Sequence, residues 1–183
     1  MKVEIWSDVM CPFCYIGKRH FEQAIEKLPF KNEIEIDWKS FQLNPEYHNT
    51  NNETVYDYLS RSKGMPVEQA KQMTKQVVDM AANAGLSIDF DTNIPANTFN
   101  AHRLLHWATL EGQPGQAVAL KKALFSAYFT NGQSPEDFTV LVQAAQSVGL
   151  DAQRATQVLE DNEYAQEVRE HANLFIRSGI QSV

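Results

Sequence analysis

Both cysteines of this 183-residue chain fall in one run, Cys11-Pro12-Phe13-Cys14. Two cysteines cannot build a disulfide scaffold, and in a reducing compartment a lone C-x-x-C is catalytic or metal-binding more often than structural. Thiol–disulfide exchange needs a thiolate that attacks and a second thiol that releases the mixed disulfide. A helix opening at Cys11 leaves its first N–H groups unpaired and its dipole positive there, which favours a thiolate. The Cys11 thiol is therefore expected to fall from about 8.5 into the range of about 3.5–7.5. Cys14 lies one turn later on the same face, within reach of a short disulfide ring. Cys11 is the expected nucleophile and Cys14 the resolving thiol, with Pro12 and Phe13 tuning the potential.

Other candidates carry less. His102 and His106 form an i, i+4 pair that could complete a zinc set with the two cysteines. Their separation from Cys14 is far longer than in a zinc finger, and Leu104, Leu105, Trp107 and Ala108 surround them. Packing histidines are the simpler reading, and no metal is expected. His20 falls on the outer side of its helix, and His48 and His171 read as surface residues. Phe125, Tyr128 and Phe129 read as core first and as a substrate groove second. No Gly-rich phosphate loop and no Ser/His/Asp signature occurs.

The elements that must position the dithiol follow from periodicity. Val3 and Ile5 alternate with Lys2 and Glu4, which predicts a strand over about Val3–Ser7. A helix runs from Cys11 to about Leu28, with Pro12 at a position where its missing N–H costs nothing. Ile34, Ile36 and Trp38 alternate in a second strand, Glu33–Phe41. Two strands joined by a helix make a βαβ unit, parallel and right-handed. From Val55 onward only helices are expected: Val55–Ser62, Pro66–Gly85, Asn100–Glu111, Pro114–Phe129, one starting with Ser134 as N-cap and Pro135 at N1 and ending at Gly149, a short one capped by Asp151, and Glu163–Ser178, closed by Gly179. A third strand is expected to begin at 180–183. The domain reading is 1–46 as the βαβ part, 47–162 as a helical insertion, and 163–183 as a returning helix.

Lys plus Arg is 16 and Asp plus Glu is 23, a net charge of −7. Such a chain has no long-range attraction to phosphate backbones or anionic lipid, so neither nucleic acid nor membrane is an expected partner. No apolar run approaches the roughly 18 residues of a membrane span. The N-terminus lacks a secretory h-region, so a cytoplasmic location is expected.

The segment from Trp6 to Lys18 (Trp6-Ser7-Asp8-Val9-Met10-Cys11-Pro12-Phe13-Cys14-Tyr15-Ile16-Gly17-Lys18) resembles the active-site segment of the FrnE-like branch of the DsbA family. Trp38-Lys39-Ser40-Phe41-Gln42-Leu43-Asn44-Pro45, Asn97-Thr98-Phe99-Asn100-Ala101-His102-Arg103-Leu104 and Phe125-Ser126-Ala127-Tyr128-Phe129 are similar to further segments of that family, in the same order. The resemblance implies an α/β, thioredoxin-like fold with a large helical insertion. It implies thiol–disulfide oxidoreductase or isomerase activity on protein or small-molecule disulfides and dithiols, with no cofactor beyond glutathione as a redox partner. Pro12, Phe13 and Tyr15 would neighbour the active site, and Asn97, Thr98, His102 and Arg103 would lie on its substrate side. It also implies that a cis-proline, two strands and a closing helix follow Val183. Without them the sheet has an open edge, which could pair two copies into a homodimer or leave a non-catalytic scaffold. The related 2-hydroxychromene-2-carboxylate isomerases and kappa-class glutathione transferases offer the alternative, a glutathione-dependent isomerase or transferase. There a serine usually stands in the place of Cys11.

Overall fold

The computed structural model describes residues 1–180. β1 (Lys2–Ser7) and β2 (Glu35–Ser40) pair in parallel, in register from Lys2 opposite Glu35 to Ser7 opposite Ser40. Between them runs α1 (Pro12–Ile25). The helix ends three residues before Leu28, and the chain returns through a 3-10 turn at Lys31–Glu33. The βαβ unit is therefore as the alternation and the crossover length require.

The rest of the described chain is helical: α2 (Val55–Lys63), α3 (Val67–Asn83), α4 (Phe99–Glu111), α5 (Gln116–Phe129), α6 (Phe138–Ser147), α7 (Ala152–Glu160) and α8 (Ala165–Arg177). Thr54 caps α2 through Asp57 N–H, and Asp151 caps α7 through Arg154 N–H. The start of α6 differs from the sequence reading. Asp137, not Ser134, is its N-cap and accepts from Thr139 N–H, while Ser134 Oγ accepts the Glu136 amide in the turn before it. The third strand expected at 180–183 falls almost wholly on residues 181–183, outside the described residues.

Two apolar clusters hold these elements. One joins Leu104, Trp107, Leu120, Leu124, Leu141 and Val158, and it includes Val9 from the turn after β1. Val9 is fully buried there, which ties the loop leading to Cys11 into the α4–α5 packing. The other joins Tyr15 and Ile16 of α1 to Val55, Val77, Phe125 and Phe129. That cluster spans the boundary drawn at 46/47, so the helical segment shares a core with α1. On the far side of the sheet, Phe175 of α8 meets Trp6 edge-on at 6.2 Å and Phe41 at 4.3 Å.

Candidate active site

The chain leaves β1 at Ser7, makes one turn and enters α1 at its N-cap, Cys11. Cys11 N–H donates to the Asp8 carbonyl at 3.2 Å, closing the turn. Cys11 Sγ accepts the Cys14 amide at 3.3 Å, so the first turn of α1 directs one of its unpaired donors at the sulfur. Both cysteines are free thiols. Phe13 stands out into solvent beside them, 55% exposed, whereas Cys11 is 3% exposed.

This burial corrects one expectation. The hydrogen bond that Cys11 makes to the Cys14 sulfur, together with burial, pushes the Cys11 thiol up rather than down. The same hydrogen bond lowers Cys14, aided by the Asp8 backbone amide and the charge of Lys121, against burial. The two sulfurs share a proton-coupled environment and titrate together, not one by one.

Asp8 is the residue the sequence reading quoted without giving it a role. Its carboxylate is 1% exposed. Oδ2 accepts Leu43 N–H at 2.7 Å, and Oδ1 lies 3.3 Å from His102 Nε2. Burial raises its pKa, but the His102 and Leu43 bonds, with a further bond from Thr98, outweigh it and hold the carboxyl below its usual range. Thr98 and His102, two of the four residues implied on the substrate side, thus meet beside the dithiol turn. Asn97 and Arg103 have other work. Asn97 Nδ2 donates to the Pro45 and Tyr47 carbonyls and Oδ1 accepts from Gln42, which fixes the loop after β2. Arg103, 1% exposed, donates to the Val158, Leu159 and Glu163 carbonyls and to Asn100, locking the end of α7 onto α4. Tyr15 is a buried packing residue, stacked on Phe125 at 4.9 Å and on Phe129 at 5.8 Å. Pro12 occupies the first turn of α1.

Lys121 was also missed. It lies on α5, is 2% exposed and lines a cavity that it shares with β2, α4 and α8. Its Nζ lies 4.8 Å from the centre of the Trp38 ring and 5.9 Å from that of Phe125.

His106 Nε2 is 3.0 Å from Ser40 Oγ, and His171 Nδ1 accepts Ser40 N–H at 3.0 Å at the end of β2. The two rings are 4.6 Å apart. His171 is thus part of a half-buried pair rather than a surface residue, while His20 and His48 are exposed. Burial, then the neighbouring His171, lowers His106 to about 4. The Nε2 atoms of His102 and His106 face Asp8 and Ser40 instead of the cysteines.

A family model described as a DSBA-like thioredoxin domain matches residues 2–183. The chain belongs to the DSBA-like thioredoxin domain family. This DSBA-like chain is 30% identical over 171 residues to the uncharacterized protein YwbO of Bacillus subtilis (strain 168), covering 93% of this chain and 76% of YwbO. It is also similar to the crystal structure of a probable DsbA oxidoreductase from Streptomyces coelicolor, with a TM-score of 0.92 and 35% identity, over 100% of this chain and 78% of that one. A 2-hydroxychromene-2-carboxylate isomerase matches with a TM-score of 0.70 over 100% of this chain and 83% of its own, at 14% identity, a likeness of fold alone. The α/β, thioredoxin-like class with a helical insertion therefore holds. A DSBA-like fold that brings Cys11 and Cys14 together supports a thiol–disulfide oxidoreductase in the general sense. Among the described residues no helix is long and apolar enough to cross a membrane.

Proposed function

We propose that the chain is a dithiol–disulfide exchanger in which Cys11 forms the mixed disulfide and Cys14 resolves it. The observation that carries this reading is the asymmetry of the pair. The Cys11 hydrogen bond, then the Asp8 amide and the charge of Lys121, lower the Cys14 thiol against burial. The more acidic thiol is the better leaving group. When the pair is a disulfide, a substrate thiolate therefore attacks Cys11 Sγ and expels Cys14 as thiolate. A second substrate thiolate then attacks the substrate sulfur of the mixed disulfide and releases reduced Cys11. Two electrons pass from the substrate dithiol to the pair, and the substrate leaves as a disulfide. In the reverse direction Cys11 passes its proton to the Cys14 sulfur and attacks a substrate disulfide as the thiolate, and Cys14 then loses that proton and displaces the reduced product.

Protein or small-molecule disulfides and dithiols are the proposed substrates, with glutathione as redox partner. Support for a cytoplasmic setting comes from the cysteine count, since both cysteines lie in the motif and none is left for a structural disulfide.

The test is a titration of Cys11 and Cys14 against glutathione buffers, read by alkylation and intact mass. A reversible two-electron transition between about −270 and −120 mV is expected. Cys14→Ser should accumulate a mixed disulfide and Cys11→Ser should abolish exchange. Unchanged turnover in Cys11→Ser sinks the proposal. No transition, combined with tight glutathione binding by the Cys11→Ser, Cys14→Ser double variant, would favour the glutathione-dependent isomerase reading instead.

A further inference from the structure

A cavity of about 560 Å³ lies beside β2, on the side away from β1, and is walled by α4, α5 and α8. That volume falls in the range of small-molecule sites. Neither cysteine lines it, so it is separate from the dithiol turn. One of its walls is the start of α5, from the Gly112–Gly115 loop through Ala117 and Val118 to Lys121.

The α5 wall is built to meet an anion. Gly115, the N-cap, offers no side chain, and among the described residues the Ala117 and Val118 amides of the first turn have no acceptor. The positive end of the helix dipole lies there. Lys121 follows one turn after Ala117 on the same face and lines the same cavity. It is 2% exposed, its Nζ stands 4.8 Å from the centre of the Trp38 ring, and among the described residues no carboxylate pairs with it. An ammonium so withdrawn from bulk water is penalised until a counter-charge reaches it, and the cavity is where one can enter.

The other walls decide which anion. β2 brings Asp37 and Lys39, and Asp37 is bridged to Lys2 and Lys39. α4 brings His102, engaged by Asp8, and His106, which with His171 of α8 is engaged by Ser40. α8 also brings Glu167 and Glu170. These two carboxylates disfavour a dianion such as a phosphate monoester. Ile36, Leu105, Leu110 and Val118 add apolar surface, and Ile36, Leu110 and Val118 leave theirs exposed.

We propose that this cavity binds a small monocarboxylate with an apolar body. Lys121 and the first-turn amides of α5 hold the carboxylate, and Ile36, Leu105, Leu110 and Val118 take the body. No bond is made or broken, and the site does not rest on the exchange reading. A ligand there ties β2 to α5 across the cavity, so its binding stabilises the fold.

The test is a titration of the chain with hexanoate, followed by amide resonances and by melting temperature. Hexanol, hexylamine and hexyl phosphate probe the charge. Hexanoate should saturate one site, move the Ala117 and Val118 amides most and raise the melting temperature. Hexanol and hexylamine should bind far more weakly. Lys121→Met should weaken hexanoate binding about tenfold or more. Because that variant could fail to fold, Val118→Glu is the second: it sets a carboxylate at a partly exposed helix position and should also abolish binding. Absence of saturable hexanoate binding, equal binding of hexanol, or unchanged affinity in Val118→Glu overturns the site. Hexyl phosphate binding as tightly as hexanoate overturns the choice of a monocarboxylate. The Cys11–Cys14 titration is read separately, so failure here leaves the exchange reading standing.

Discussion

His102 Nε2 stands 3.3 Å from Asp8 Oδ1, and neither side chain is more than 1% exposed. This bond joins α4 of the helical insertion to the turn that delivers Cys11. Asp8 is thus both a structural clamp and a negative charge beside two sulfurs, and the charge raises both thiols. Asp8→Asn should lower the thiol titration and make the pair more oxidising. The substitution is tolerable because His102 Nδ1 has no partner, so the imidazole proton can move there and leave Nε2 as the acceptor. Asp8→Ala, which strands Leu43 N–H and His102, should cost about 3–5 kcal/mol. Chemical denaturation and thiolate absorbance separate the two effects. A rise in the thiol titration of Asp8→Asn would contradict the charge argument.

The His106–His171 pair sets an acid limit. Both rings have lowered proton affinity in the folded state, His106 to about 4. The unfolded chain binds these protons near pH 6.5, so between 6.5 and about 4 it holds more protons than the folded chain. Stability from this pair is complete above pH 6.5 and is lost as pH falls through that window. The lowered carboxylates Asp8 and Asp37 act below their ordinary range near 3.8 and do not share it. Melting temperature should fall between pH 7 and 4.5 in wild type and less steeply in His106→Gln. Superimposable curves would exclude His106 as the cause.

Arg103 makes hydrogen bonds with every nitrogen of its guanidinium, mostly to carbonyls at the end of α7. A lysine cannot reproduce that fork. Arg103→Lys should therefore lose about 2–4 kcal/mol of stability, close to the loss in Arg103→Met, because both leave buried carbonyls unmatched. Urea unfolding measures it. If Arg103→Lys retained wild-type stability, the charge rather than the fork would be what matters.

Phe125 is fully buried between α1 and the helical layer. Phe125→Ala should cost about 3–5 kcal/mol. Because Tyr15 loses its stacking partner, the first turn of α1 should loosen and Cys14 should react faster with iodoacetamide. Unchanged alkylation would separate the stack from the dithiol.

How far the sequence could be read depended on the range of each signal. The C-x-x-C at a strand–helix junction is local, and so are the alternations that define β1 and β2; both were legible. Helix starts were legible only where one cap candidate stood alone. Ser134-Pro135 and Asp137 both carry start chemistry, and only the observed Asp137–Thr139 bond ranks them. His171 was readable and overlooked: it is three residues after Val168 and four before Phe175, so it falls on the buried stripe of α8. Asp8 and Lys121 were not legible as site residues. Their surroundings come from far along the chain, Asp8 meeting Leu43 and His102 35 and 94 residues away and Lys121 meeting Trp38 of β2, and no window of the sequence contains that information. The same holds for the Cys11 thiol, whose position at a helix start is visible but whose burial is not.

The Tyr15–Phe125 stack has a consequence for the order of events at birth. The dithiol leaves the ribosome more than a hundred residues ahead of Phe125. At about 5–20 residues per second, the two cysteines spend on the order of ten seconds before the Tyr15–Phe125 stack can form beside them. The first turn of α1 is therefore fixed late, when α5 docks, and a ribosome stalled before that helix would present the cysteine pair on an unanchored turn.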